Sequence, residues 1–192
     1  MATSSLHILL PFLLLLLQAT TNLAAADADV IDQICHKTPF FDLCSATLHS
    51  NPLSPNSDLK AIAAVMLADI LRNATDTLSF IESLIKHTSD HQLEQSLAFC
   101  AESYIPIVKY TLPQAADALA QGRFAFAAYC VGDAQNQIQS CDKRFSDLDS
   151  SPMGDRNDVV QRLVGVASAI IREYYDSVST SNLRGRILNH KF

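Results

Sequence analysis

Five cysteines, all placed after an N-terminal apolar leader, constrain this 192-residue chain more than any other feature. Cys35 and Cys44 lie close together, Cys100 and Cys141 lie far apart, and Cys130 falls between the latter two. Cysteines persist as structural bridges only in an oxidising compartment, so leader and cysteines together read as a secreted, disulfide-stapled chain. The leader runs from Ile8 to Phe12 and then through Leu13 to Leu17. That run is too short to cross roughly 30 Å of hydrocarbon as a helix and has the length of a signal-peptide core. Ala24-Ala25-Ala26 supplies the small residues that precede cleavage, which predicts a signal peptide over residues 1–26 and a mature start at Asp27.

The remainder is the size of one ordinary domain, with enough chain to bury about two thirds of its unfolded surface. The leader holds no Asp, Glu, Lys or Arg, so the mature chain keeps the whole formal charge of -6. An acidic chain of this kind is a poor partner for nucleic acid or for an anionic membrane. Basic residues gather only at the end, where Arg184, Arg186 and Lys191 follow Asp176 with no further acid. Residues 27–176 are therefore expected to form the domain, and residues 177–192 a mobile basic tail.

Only 5 Gly and no Trp argue against an all-β chain, whose turns demand more glycine. The apolar pattern is helical. Leu59, Ile62, Ala63, Met66, Ile70, Ala74, Leu78, Ile81, Leu84 and Ile85 recur at helix spacing after the start signal Pro55-Asn56-Ser57-Asp58. A polar break from Thr88 to His91 leads to a second stripe: Leu93, Leu97, Cys100, Tyr104, Val108, Leu112, Ala115 and Leu119. Pro106 and Pro113 interrupt this second helix, each removing a backbone hydrogen bond at a cost of about 3 kcal/mol. Seven residues apart on the face of Glu102, Lys109 and Asp117, they predict a bent rather than a broken helix.

The turn Gln121-Gly122-Arg123 opens a third stripe through Phe124, Ala127, Val131, Ala134, Ile138, Cys141, Phe145 and Leu148, predicting a helix to about residue 148. After a polar loop over residues 149–157, Val159 to Tyr174 form a fourth. Four long helices with short connections predict an all-α, up-down-up-down four-helix bundle. Ahead of it, Val30 to Leu48 suggest two short helices broken at Pro39, a helical hairpin that Cys35 and Cys44 would staple.

Cysteine count alone leaves the connectivity open. Cys100 and Cys141 fall on the apolar stripes of the second and third helices, where a bridge would clamp neighbours. Cys130, beside Val131, reads as a buried, inert free thiol, with a reactive thiol or an intermolecular bridge as the alternatives.

Motifs for catalysis are absent from the sequence: it has no His-Glu-x-x-His, no Gly-x-Ser-x-Gly and no glycine-rich phosphate loop. No pair among His36, His49, His87 and His91 has ligand spacing matched with uncommitted cysteines, and His87 and His91, though four apart, flank a predicted turn. The expectation is a protein that is not an enzyme and binds no cofactor or metal. Asn73-Ala74-Thr75 is a glycosylation sequon, predicted to lie mid-helix at the edge of the apolar stripe.

The segment Cys35-x-x-Thr38-x-Phe40 followed by Cys44 resembles the opening of the plant pectin methylesterase and invertase inhibitors. Leu97-Ala98-Phe99-Cys100 with Tyr104, and Ala134 to Cys141 before Phe145, are similar to that family's third and fourth cysteine contexts. One departure is that Pro39 precedes Phe40 where the family places proline after the aromatic. The resemblance covers nearly the whole mature chain. It implies a bundle with an N-terminal hairpin, bridges Cys35 to Cys44 and Cys100 to Cys141, and a secreted plant cell-wall protein that blocks a carbohydrate enzyme. Such an inhibitor needs only a rigid, preorganised surface, and is expected to be a monomer that complexes its target.

Two targets fit. The family's invertase branch uses a Pro-Lys-Phe segment at the start of the third helix, and here the matching turn reads Gly122-Arg123-Phe124, keeping the basic-aromatic pair without the proline. From Phe124 to Cys141 the spacing resembles the esterase inhibitors, which favours pectin methylesterase over acid invertase. For that target the resemblance implies a bundle flank lying over the enzyme's sugar-binding cleft, with Glu102, Asp117, Asp133, Asn136 and Gln137 as candidate contacts. Arg123 and Phe124 are the candidates for invertase. Two other classes fit less of the sequence. A secreted carrier of apolar ligands would draw on core aromatics Phe124, Phe126 and Tyr129; a helical signalling ligand would use the basic tail.

Overall fold

Residue by residue, the apolar stripes become the interior of a helical bundle in the computed structural model, which describes residues 30–51, 53, 57–146 and 151–189, with side chains to residue 181. The predicted signal peptide lies outside the described residues, as do Leu148, Pro55 and Asn56. Helix α1 (residues 30–35) and α2 (Phe41–His49) form the N-terminal hairpin. The first long rod is α3 (Leu59–His87). The second is α4 (His91–Pro106), a π-helical turn (Ile107–Thr111) and α5 (Leu112–Ala120) in unbroken succession. The third is α6 (Phe124–Asp142) with a short 3-10 turn (Lys143–Phe145), and the fourth is α7 (Gly154–Asn189).

Local chemistry sets the ends of the rods. Asp58 Oδ1 accepts from the Ala61 N–H at 2.8 Å and caps α3, while Asp90 caps α4 by accepting from the N–H groups of Gln92 and Leu93. Each satisfies backbone donors that a helix leaves orphaned in its first turn. At the end of α5, the Arg123 N–H donates to Ala118 O and the Gly122 N–H to Leu119 O. That paired arrangement is a Schellman motif, and Gly122 supplies its left-handed residue with φ 74°.

Each long rod packs on two others. α3 and α6 occupy opposite corners, both against α7 and against the α4–α5 rod. The core is aliphatic and continuous, from Ile62, Met66 and Ile70 of α3 through Leu97 and Tyr104 of α4 to Ile138 of α6 and Val160, Leu163 and Ile171 of α7. Cys100–Cys141 ties α4 to α6 inside this core, and Cys35–Cys44 closes the hairpin. The hairpin leans on α7, where Lys37 pairs with Glu173. At Gly165 an added Cβ would come within 3.3 Å of the Phe40 ring, so hairpin and α7 meet closely.

In four places the structure differs from the expectations. Pro106 does not simply bend its rod: Ile107 N–H donates to Tyr104 O, Leu112 N–H donates to Ile107 O, and one extra residue is absorbed as the π turn. The rotated register buries Ile107 and Thr111, and Val108, expected in the stripe, is only half-buried. The third helix stops at Asp142 rather than near residue 148, because Phe145 reaches the core through the 3-10 turn. The fourth does not end near Tyr174 but continues as helix to Asn189. There the Ser177, Thr180 and Ser181 hydroxyls donate to carbonyls three or four residues back, which occupies the hydroxyls within the helix. Finally, Phe126 and Tyr129 are not core aromatics: they are 39% and 69% exposed, which removes the premise of the apolar carrier.

Candidate functional site

The α6 surface beside the π turn concentrates the features of a recognition face. Phe126 and Tyr129 sit one turn apart on α6, their rings stacked with centroids 6.2 Å apart. Arg123, at the mouth of the α5–α6 turn, lays its guanidinium over Phe126 at 5.3 Å. This cation and π pairing keeps an exposed aromatic in a defined position. Tyr110 of the π turn adds a further aromatic at 60% exposure.

Next to this stripe lies a polar latch. Asp133 accepts from Gln137 Nε2 at 2.7 Å, one turn along α6, and from Thr111 Oγ1 on the π turn at 3.4 Å. The latch ties α6 to the second rod and fixes two of the candidate contacts in place. On the far flank of α6, Gln135 Nε2 donates to Gln161 of α7 at 3.5 Å, so the helix is held from both sides.

Other candidates are dispersed. Glu102 on α4, Asp117 on α5 and Asn136 on α6 are exposed, and the Asp117 carbonyl accepts from the Gln121 N–H at the end of α5. Phe124 is half-buried and meets Tyr174 of α7 edge to face at 4.6 Å, so it anchors the turn internally while Arg123 faces solvent. Phe126, Tyr129 and Thr111 were not singled out as contacts in the sequence. One signal could have found the first two: Phe126 and Tyr129 fall off the stripe of Ala127, Val131, Ala134 and Ile138.

The histidines are engaged locally. His87 Nδ1 is 2.7 Å from Ser83 O, and His91 lies beside Glu94 and Gln95. Among the described residues no group of three or more His, Cys, Asp and Glu is arranged to hold a metal ion, and no helix is long and apolar enough to cross a membrane.

This disulfide-tied bundle, with its stapled hairpin, matches the model of the family described as plant invertase/pectin methylesterase inhibitor over residues 29–170. The chain belongs to that family. Members of the invertase/pectin methylesterase inhibitor family are inhibitors, so the protein is an enzyme inhibitor and not an enzyme. It is 29% identical over 145 residues to cell wall / vacuolar inhibitor of fructosidase 1 of Arabidopsis thaliana, covering 76% of this chain and 69% of the relative. It is 26% identical over 145 residues to pectinesterase inhibitor of Actinidia deliciosa, covering 74% and 78%. A crystal structure of a mutant form of a pectin methylesterase inhibitor from Arabidopsis superposes with a TM-score of 0.66 at 24% identity, covering 74% of this chain and 95% of that one. That likeness shows the shared fold.

Proposed function

We propose that this protein is secreted to the plant cell wall and blocks a pectin methylesterase there, laying the face between α6 and the π turn over the enzyme's substrate cleft. The observation that carries this reading is the stripe of Arg123, Phe126 and Tyr129 beside the Asp133–Gln137 latch. Exposed aromatics and arginine are the residues that most often dominate binding energy at protein interfaces, and their preordering lowers the entropy lost on association. The Actinidia deliciosa pectinesterase inhibitor is a relative over most of the chain, which agrees with this target.

Acid invertase is the second reading, favoured by the fructosidase inhibitor of Arabidopsis thaliana among the relatives and by the exposed Arg123 at the turn. Phe124 packs on Tyr174 instead of projecting, so in this reading Phe126 takes the aromatic role beside Arg123.

The test is inhibition of purified plant pectin methylesterase and acid invertase, side by side at mildly acidic pH, by oxidised protein of residues 27–192. Esterase inhibition that weakens about 30-fold or more in a Phe126→Ala, Tyr129→Ala variant of unchanged fold supports the proposal. Invertase inhibition alone overturns the target. Unchanged esterase inhibition by that variant, and by the combined Asp117, Asp133 and Gln137 alanine variant, overturns the face.

A further inference from the structure

We propose that Asn73 carries an N-linked glycan and that its first N-acetylglucosamine lies in the groove between α3 and the start of α7. The sequon Asn73-Ala74-Thr75 is one observation, and the groove it borders is another, independent of it. Asn73, Asp76 and Thr77 from α3 and Asp155, Arg156 and Val159 from α7 line a cavity of about 380 Å³. That is within the range, roughly 300 Å³ upward, of clefts that hold small organic ligands. Its walls suit a sugar ring. Val159, a large apolar side chain left 41% exposed, offers a surface for ring carbons, while the Asp76 and Asp155 carboxylates and the Arg156 guanidinium can meet hydroxyl and acetamide groups. Arg156 is also held in position, stacked over Phe80 at 4.2 Å.

Asn73 itself is compatible with the link. Its Nδ2 donates to Asp69 O at 2.8 Å and to Asp69 Oδ2 at 3.4 Å. Glycosylation joins Nδ2 to C1 of a lipid-pyrophosphate-linked oligosaccharide; the C1–oxygen bond breaks, the lipid pyrophosphate leaves, and the amide gives up one proton. The linked nitrogen keeps one N–H, enough to retain the shorter bond to Asp69 O. Asp69 Oδ2 loses only the longer contact, and Arg72 still pairs with the other carboxylate oxygen. In the closed helix both sequon side chains are engaged, since Thr75 Oγ1 donates to Leu71 O at 2.7 Å. Transfer therefore precedes closure of α3. The glycan would leave the α6 face clear, because the α3–α7 side is opposite the side where α6 meets the α4–α5 rod.

The inference rests on passage through the secretory pathway, so the full chain is expressed in plant cells and taken from the medium, which confirms secretion before the glycan is sought. Intact mass and peptide mapping, with and without an amidase that releases N-glycans, should show a glycan at Asn73 that is lost in Asn73→Gln and Thr75→Ala. A secreted protein with unmodified Asn73 overturns the proposal. For the groove, glycosylated wild type should melt about 2 °C or more above the Thr75→Ala protein from the same cells. The same two sequences made without glycan in bacteria correct for the substitution itself. Trimming to a single N-acetylglucosamine should keep the difference. An occupied Asn73 with no difference in melting overturns the groove as the bed of the sugar.

Discussion

The Tyr104 hydroxyl donates a 2.8 Å hydrogen bond to Oδ1 of Asn157, joining two fully buried side chains from α4 and α7. Asn157 in turn donates from Nδ2 to Asp142 Oδ1 at 3.2 Å and lies against Cys141 Sγ, so the network surrounds the bridge between α4 and α6. Tyr104→Phe leaves the Asn157 carbonyl oxygen without its buried donor and is expected to cost about 1–3 kcal/mol. Chemical unfolding with an unchanged m-value checks it. The double variant Tyr104→Phe, Asn157→Leu should recover part of the loss, since removing both partners avoids the orphaned acceptor.

Alkaline unfolding should carry the signature of the same group. Burial pushes the Tyr104 hydroxyl well above its usual range, and the Asp142 charge adds to the shift. In the unfolded chain it titrates near 10, so above that pH the unfolded state binds fewer protons than the folded one. Stability is thus fully present below about pH 10 and falls by up to about 1.4 kcal/mol per pH unit above it. Tyr104→Phe should remove this component of the slope. A slope identical in the variant would contradict the assignment.

The two bridges should differ in weight. Cys100–Cys141 spans 41 residues and Cys35–Cys44 spans 9. In the chain-entropy account the longer loop contributes about 4 kcal/mol and the shorter about 3 or less. Paired serine variants compared by thermal unfolding should preserve that order. The Cys35 and Cys44 pair should loosen mainly the hairpin, read as faster amide exchange in α1 and α2 than in α3.

Gly122→Ala is expected to cost about 1 kcal/mol, through the backbone alone. An added Cβ would meet only the Phe124 ring, at 3.7 Å, which is ordinary contact. The cost comes from φ 74°, which an alanine resists. Gly132→Ala, with nothing within 4 Å of the added carbon and in mid-helix, should instead stabilise by about 0.5–1 kcal/mol. Melting of the two variants in parallel separates conformational cost from helix propensity.

Cys130 should resist alkylation in the folded protein. It is 3% exposed, and its thiol is pushed above the usual range, first by burial and then by the Asp133 charge, with Arg123 opposing. A raised value lowers the thiolate fraction at neutral pH, and the thiolate is the reactive form. Labelling by iodoacetamide at pH 8 should be slow in the native state and rise to the rate of a free thiol in denaturant. Fast native labelling would show that α6 opens at this turn.

The rods were legible because their signals are local. The stripe from Leu59 to Ile85 and the cap Asp58 specify α3 by periodicity and one hydrogen bond. Pro106 was legible as a disturbance but not as a π turn. A lost helical hydrogen bond can be absorbed by bending or by an inserted residue, and burial of Ile107 and Thr111 selected the second. Phe126 and Tyr129 misled by residue type, for aromatics are usually interior; their positions off the apolar stripe were the better guide. Helix beyond Asp176 was missed because its Ser- and Thr-rich run offers little apolar periodicity to read, while its hydroxyls find partners on carbonyls one turn back.

By itself the sequence determined what depends on neighbouring residues and on covalent chemistry: helical periodicity, the start of α3 at Asp58, the positions of the cysteines, the sequon at Asn73, and a net charge of -6. Tertiary structure alone decided which side chains are consumed and which are offered. Asp133 is held by Thr111, 22 residues away, Asn157 is claimed by Tyr104 across 53, and Phe124 is occupied by Tyr174. Arg123, Phe126 and Tyr129 are left facing solvent. Such pairings depend on how four rods rotate against one another, and that rotation is set by the packing of the whole core rather than by any one segment.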